Sequence, residues 1–462
     1  MTGIEQEPGA APAPQSLAQR LRSNTFLKHV LTLMTGTAVA QVIPLVARPL
    51  LSRMYTDADF GLYSLYMALG SGIAAVGALR YDLAVVTPKR DVEARSVLNL
   101  ASRLALVTAG LSIVGLSIFA KPVAGLLKDP SLAPYLPLVG LLVFAMTQLS
   151  SRLYWLNRRQ RYKEMARNKM GQSIGTTATQ LGVGLLWAGP LGMIVGSLVG
   201  QWFSMINLWR LTRHETRRQD GDPALRTVAE EHKKMPLVQG PNALVDQIRL
   251  QGINLLVAAF FTKAVLGQFA QAWTLLQMPM GLINGALTQV FYQKLATTRR
   301  GKMFPVVRNA VVRSLAIGII PFTLIWLLAP WLFPFVLGSK GNHDWTLAGQ
   351  IARCLVPWLY LNFVTSPISL MFITVKRQGT MFLFACAYAA VPLTLIWRYH
   401  SSILQTMTMV SWSMAGLLVV FILLALWAAW SFDREPTDDE TDGSEVSADE
   451  AVELAEARTE EG

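Results

Sequence analysis

Apolar positions in this chain fall into long runs, not narrow amphipathic stripes. Between residues 27 and 430 such runs, near or above ~20 residues, recur with short polar segments between them. Each is long enough to cross a ~30 Å hydrocarbon layer as a helix. Helices are required because lipid offers no partner to a free backbone N–H or C=O. Twelve spans are predicted, at about residues 28–54, 60–86, 95–120, 134–156, 166–188, 191–210, 236–260, 266–292, 304–336, 347–375, 379–398 and 403–430. The division between the fifth and sixth rests on Gly189-Pro190, a turn signal between two runs too long together for one crossing. The expected fold is all-α and polytopic. No apolar run ends in a small-residue cleavage site, so no removable signal peptide is expected.

Within this pattern residues 35–86 stand out as two apolar runs joined by a short turn at residues 55–59, and the turn has a counterpart. YTDADFGLYSLYMAL starts at Tyr55 and FTKAVLGQFAQAWTL at Phe261. At an offset of 206 they share Thr56 with Thr262, Ala58 with Ala264 and Gly61 with Gly267, and Tyr55 and Tyr63 align with Phe261 and Phe269. Both copies join an outgoing span to a returning one. The predicted architecture is therefore two parallel six-helix bundles around a central cavity, with the substrate site between the halves. The N-terminal bundle covers residues 27–211 and the C-terminal bundle 236–431. Residues 212–235 form a linker with a short amphipathic helix, for which Asp222 is the expected N-cap and Pro223 the first helical residue. Residues 1–26 are polar and Pro/Ala-rich and residues 432–462 acidic; both are expected to be disordered.

Composition agrees with a membrane protein: 52% of residues are apolar and only 15% charged, against about a quarter charged in soluble chains. Charge adds the orientation. Taking alternate loops, one side holds 29 Lys and Arg and the other six, which places both termini in the cytoplasm. The net charge of +12 conceals an asymmetry. Thirteen of the 29 acidic residues lie from Asp433 onward, so the remainder carries 39 basic against 16 acidic residues. An excess on that scale points to an anionic partner; the membrane spans exclude nucleic acid and leave anionic lipid or an anionic substrate. Cys354 and Cys386 lie inside apolar runs and the five histidines are scattered, so neither a metal nor another cofactor is expected.

Six arginines fall within spans, where such a charge costs about 2.5–3.5 kcal/mol unless it faces a cavity or a partner. Arg249 lies 13 residues beyond Pro236, roughly 20 Å in, with Asp246 three residues before it on nearly the same helix face. An intrahelical pair would explain the two charges. The surrounding Asn242, Gln247, Gln251 and Asn254 favour a water-filled cavity. Arg48 follows Gln41 and Pro44 in the first span, and Arg53 sits at that span's outer end, where it can also snorkel. Arg80 lies in the inner third of the second span, with Asp82 as its balancing acid or an interface marker. Arg353 is a weaker candidate. Arg103 and Arg313 are assigned to structural roles. Guanidinium groups hold phosphate bidentately and keep their charge when partly desolvated, so an arginine-lined cavity suits a phosphate or diphosphate. Tyr63, Tyr66, Trp273, Tyr292, Trp358 and Tyr360 could stack on sugars, but Trp and Tyr also anchor helices at interfaces, and anchoring is the preferred reading.

The segment GTAVAQVIPLVARPLLSRMYTDADFGLYSLY, with LRYDLAVVTP after it, resembles the polysaccharide transporter family of bacterial O-antigen and exopolysaccharide flippases. WLNRRQRYKEMARNKMGQS and LGQFAQAWTLLQMPMGLINGALTQVFYQKLA are similar to the same family, and the likeness covers nearly all of residues 28–430. That family belongs to the multidrug/oligosaccharidyl-lipid/polysaccharide exporter superfamily. The resemblance implies a non-enzymatic flippase of the bacterial inner membrane, moving an undecaprenyl-diphosphate-linked oligosaccharide to the periplasmic leaflet by alternating access. It implies that Arg48, Arg53, Arg80 and Arg249 contact the diphosphate, with Asp246 and Asp82 as balancing or coupling acids; Arg353 is a further diphosphate candidate by its depth in the tenth span and not by the resemblance. Implied partners are the lipid-linked oligosaccharide, membrane lipids, and a polysaccharide polymerase or other biosynthesis proteins. Two other readings stand beside this one. A multidrug antiporter of the superfamily would want a carboxylate-dominated cavity. A membrane glycosyltransferase, polymerase or ligase would want a catalytic outer loop, for which Asp57 and Asp59 are the paired acids. The chain departs from the related lipid II flippases, which have two further helices.

Overall fold

The computed structural model describes residues 25–187, 189–296, 301–338, 344–369, 371–374 and 378–434. The tails at 1–24 and 435–462, and with them most of the acidic segment, lie outside the described residues. Among the described residues there is no strand, and twelve long helices coincide with the twelve expected spans. They are α1 (Thr25–Met54), α2 (Asp57–Ala74), α3 (Asp91–Ile118), α4 (Leu136–Arg158), α5 (Tyr162–Leu186) and α6 (Pro190–Thr216) in the first half. The second half has α7 (Gly240–Phe260), α8 (Lys263–Ala296), α9 (Met303–Leu337), α10 (Thr346–Thr365), α11 (Gln378–Arg398) and α12 (Ile403–Arg434). Six of them, α3, α4, α6, α7, α9 and α12, pass a strict test of length and apolar character for crossing a membrane. Of the rest, α1, α2 and α5 line a polar cavity described below.

The turn between α5 and α6 falls at Gly189, whose φ of 137° only glycine adopts without strain, followed by Pro190 at the first position of α6. The second span, in contrast, is not one helix. α2 stops at Ala74, a series of tight turns follows, and a four-residue helix, Tyr81–Ala84, resumes the path. Leu79 and Arg80 both take left-handed backbone angles, φ 48° and 63°, a conformation costing about 1–3 kcal/mol each for non-glycine residues. Packing holds this break: the Thr108 hydroxyl donates to Gly77 O at 2.9 Å, and Thr147 packs where Gly77 has no side chain. The tenth span likewise ends early, at Thr365, where Pro367 has no N–H to continue the helical ladder and the chain passes into a short 3-10 turn at Ser366–Ile368.

The linker carries the expected short helix, at Leu225–Glu231, but Asp222 does not cap it. Asp222 instead accepts from the backbone N–H of Gln219 at 2.9 Å and pairs with Arg95 of α3 at 3.0 Å, and Ser96 donates to Pro223 O. Val228 of the linker helix is buried among Ala84, Val97, Leu98 and Trp155. The linker is thus clamped beneath the first half. α12 continues to Arg434.

On the face opposite the helix ends at Thr25 and Arg434, the two halves are zipped together. α2 and α8 cross so closely that a Cβ on Gly61 would strike the main-chain oxygen of Lys263, and one on Gly267 that of Asp57. Asp57 and Lys263, like the two glycines, are separated by 206 residues, so the contact has two-fold pseudo-symmetry. The seam continues through Ser52, which donates to Leu337 O at 2.7 Å, and Trp345, whose indole donates to Ser52 O at 3.3 Å. Lys263 adds Asp129 at 3.7 Å and Ser131 at 3.1 Å. Both acids of the first corner are engaged in structure. Asp59 forms a capping box with Thr56, and Asp57 accepts from Gln268 at 3.2 Å.

Candidate functional site

Two polar cavities lie on either side of the seam, one in each half. The first, of about 280 Å³, is lined by α1, α2, α5 and α6 and contains Gln41, Arg48, Tyr63, Lys169, Gln172 and Gln180. Pro44 helps to shape it. Proline at that position frees the carbonyl of Ala40, four residues earlier, and the Ser173 hydroxyl donates to that oxygen at 2.5 Å, tying α5 to α1. Arg48 reaches across the seam, donating from Nη1 to Gln271 Oε1 on α8 at 2.7 Å, with its guanidinium 5.7 Å from the Phe60 ring. Its Nε, the Gln41 Oε1 and the Gln271 Nε2 are buried without a hydrogen-bond partner. Buried polar groups left unpaired cost about 1–3 kcal/mol each, so together they describe a site built to be filled by something polar.

The second cavity, about 180 Å³, is lined by α7, α8, α10, α11 and α12. It brings together Arg249, Asn254, Trp273, Gln277, Asn362 and Tyr388, with Trp358 beside them. Trp273 and Trp358 lie with ring centroids 5.0 Å apart. The Trp358 indole donates to the Tyr388 hydroxyl at 2.6 Å, and Asn362 donates to the same oxygen at 3.3 Å. Arg249 is paired with Asp246 at 3.3 Å, and both are well exposed, at 37% and 65% of their side chains.

The remaining candidates are spread out. Arg80 turns back on its own segment, donating to Ala75 O at 3.3 Å, while its Nε is buried and unpartnered. Asp82 accepts from the Ser150 hydroxyl at 2.8 Å and is not in a salt bridge with Arg80. Ser150 lines a third cavity of about 370 Å³ with Tyr154, Gln201 and Gln172, the last shared with the Arg48 cavity. Arg53 is exposed beside Gly338 at the seam. Arg353 stacks on Trp326 at 4.1 Å on the outer surface and lines none of the three polar cavities.

Lys169 lines the first cavity although the loop charge pattern gives it an orienting role. Its signal is a polar stripe on α5, Lys169, Gln172, Ser173, Thr176, Thr177 and Gln180, at helical spacing on one face. Trp273, Trp358 and Tyr63 were assigned to interfaces and instead line the cavities. A large groove of about 520 Å³ along α8, α9 and α10 is lined wholly by apolar side chains and is separate in character from these sites.

The described residues form a helical multi-pass membrane protein with polar cavities on both sides of a pseudo-symmetric seam. The chain belongs to the polysaccharide biosynthesis protein family, which matches residues 50–344, well over half its length. Its fold is similar to that of the lipid II flippase MurJ in an inward closed conformation, with a TM-score of 0.68, 15% identity, and 86% of this chain and 87% of that chain covered. It is also similar to an inward-facing multidrug resistance MATE family transporter of the MOP superfamily, at 0.59, 14% identity and 88% and 96% coverage. A third likeness is to a MOP superfamily transporter from Pyrococcus furiosus, at 0.55, 14% identity and 88% and 97% coverage. No curated protein matches the sequence.

Proposed function

We propose that the protein flips an undecaprenyl-diphosphate-linked oligosaccharide, an O-antigen or exopolysaccharide unit, from the cytoplasmic to the periplasmic leaflet of the bacterial inner membrane. Two six-helix halves, 27–211 and 236–431, rock about the linker 212–235 with both termini in the cytoplasm, and the ligand is exchanged by alternating access. The observation that carries this reading is Arg48. It lines one cavity with Lys169 and keeps a buried Nε without a partner, and a guanidinium matches the fork of acceptors on a diphosphate. Arg249 offers a second guanidinium from the other half. No Asp or Glu is among the described residues lining the three polar cavities, which disfavours a cationic drug as cargo. Arg80 and Asp82 are assigned to the passage toward the third cavity, and Arg53 and Arg353 to the periphery.

The test is to replace Arg48 or Arg249 with Ala at normal membrane abundance. Surface polysaccharide should be lost and the lipid-linked unit should accumulate facing the cytoplasm. Normal glycan export in both variants would refute the assignment.

A further inference from the structure

We propose that the two polar cavities are repeat-related subsites that have diverged, the first holding the diphosphate and the second holding a sugar ring of the glycan attached to it. This rests on the flippase reading above. The equivalence comes from the 206-residue offset. Pro44 corresponds to Leu250, Arg48 to Asn254 and Tyr63 to Phe269, and each of these six lines the cavity of its own half. Gln41 corresponds to Gln247, and both leave a buried Oε1 without a partner. The cavities are thus the same place in the repeat, furnished differently.

The difference lies in the chemistry. Where the first half has the cation Arg48, the second has the amide Asn254, and Arg249, the one cation among the described residues lining that cavity, is paired with Asp246. The first cavity holds Arg48 and Lys169 with no acid among its described lining. An anion is therefore drawn to the first cavity, and the second gains hydrogen-bonding forks without net charge. Sugars ask for that combination: an apolar face formed by their C–H bonds, which indole rings cover, and a rim of hydroxyls that amides meet as donor and acceptor. Trp273 and Trp358 supply the face. Tyr388 accepts from both Trp358 and Asn362, which fixes that wall and leaves its own O–H proton to donate. Asn254 donates to Gln251 at 3.1 Å, leaving its side-chain oxygen to accept. The volume of about 180 Å³ falls below the roughly 300–1,000 Å³ of cavities that enclose a drug-sized ligand, which suits one ring and not an extended chain.

The experiment compares two lipids binding the full-length protein in nanodiscs. One is undecaprenyl diphosphate, which has no sugar; the other is the lipid-linked oligosaccharide extracted from the cells that encode the protein. Trp273→Leu and Asn362→Leu should bind undecaprenyl diphosphate within twofold of the parent, which also shows that they fold, and bind the glycan-bearing lipid at least tenfold more weakly. Trp273→Phe should recover most of that loss, and Arg48→Ala should weaken both lipids by similar factors. Equal losses for both lipids in the Trp273 and Asn362 variants, or no loss for either, would overturn the glycan subsite and leave the flippase reading standing. A parent protein that binds neither lipid would overturn the flippase reading itself.

Discussion

Gly61 and Gly267 face each other across the crossing of α2 and α8, each on the other's first-turn backbone. No side chain fits there. Replacing either with Ala puts a methyl group into a main-chain oxygen, and overpacking of this kind costs about 1–3 kcal/mol. The cost falls on the arrangement in which the seam is closed and vanishes when α2 and α8 part. Gly61→Ala and Gly267→Ala should therefore each shift the protein toward opening on that face, by roughly 5–150-fold. Spin labels at Leu126 and Trp397, exposed on the two halves at that end, would report a longer distance. Gly72→Ala in the same helix, where an added Cβ meets nothing within 4 Å, should leave the distance unchanged.

Arg48 and Arg353 are both membrane arginines, yet the structure separates them. Arg48→Lys keeps the charge and gives up the planar fork that reaches Gln271. Hydrogen bonds to a charged group contribute about 1.5–3 kcal/mol, so transport measured in proteoliposomes should fall roughly ten- to a hundredfold. Arg353→Ala loses a stack on Trp326 worth about 0.5–1 kcal/mol at an exposed site. It should lower thermal stability slightly and leave transport within about twofold of the parent.

Run length, with the Gly189-Pro190 turn, located the twelve long helices, because span length is set by the bilayer and not by neighbouring residues. The Thr56–Gly61 corner was visible through its copy at Thr262, and both threonines do cap their helices, with Thr262 Oγ1 accepting from Val265 N–H at 3.3 Å. The break at Leu79–Arg80 was not legible, since it is imposed by Thr108 and Thr147 from other helices. Nor were the partners of Arg48 and Trp358, Gln271 and Tyr388, which lie 223 and 30 residues away. Charge identity could be read residue by residue, but which charges share a cavity is a property of packing.

Asp222 and Arg95 form a well-buried pair, with 1% and 12% of their side chains exposed. Removing one partner of a buried pair strands the other charge at about 3–5 kcal/mol. Asp222→Ala should release the linker from α3, and trypsin should then cut faster at Arg217, Arg218 and Arg226. The double variant Asp222→Ala, Arg95→Ala should be less sensitive than the sum of the singles, since no charge is left unpaired.

Asp433 belongs to the end of α12, yet it acts on the start of α9. Its Oδ1 accepts from the N–H groups of Gly301 and Met303 at 2.9 and 3.0 Å, and Oδ2 from Phe304 at 2.8 Å. These donors have no partner within the first turn of a helix, and a carboxylate there also meets the positive end of the helix dipole. Asp433→Ala should cost about 1 kcal/mol, as loss of a helix cap does. The loss should be local: amide protection over residues 303–307 should drop roughly fivefold in hydrogen exchange, while protection in α4 stays as it was. Asp433→Asn keeps one accepting oxygen and should lose less. Equal loss of protection in α4 would show that Asp433 supports the whole bundle and not the end of α9.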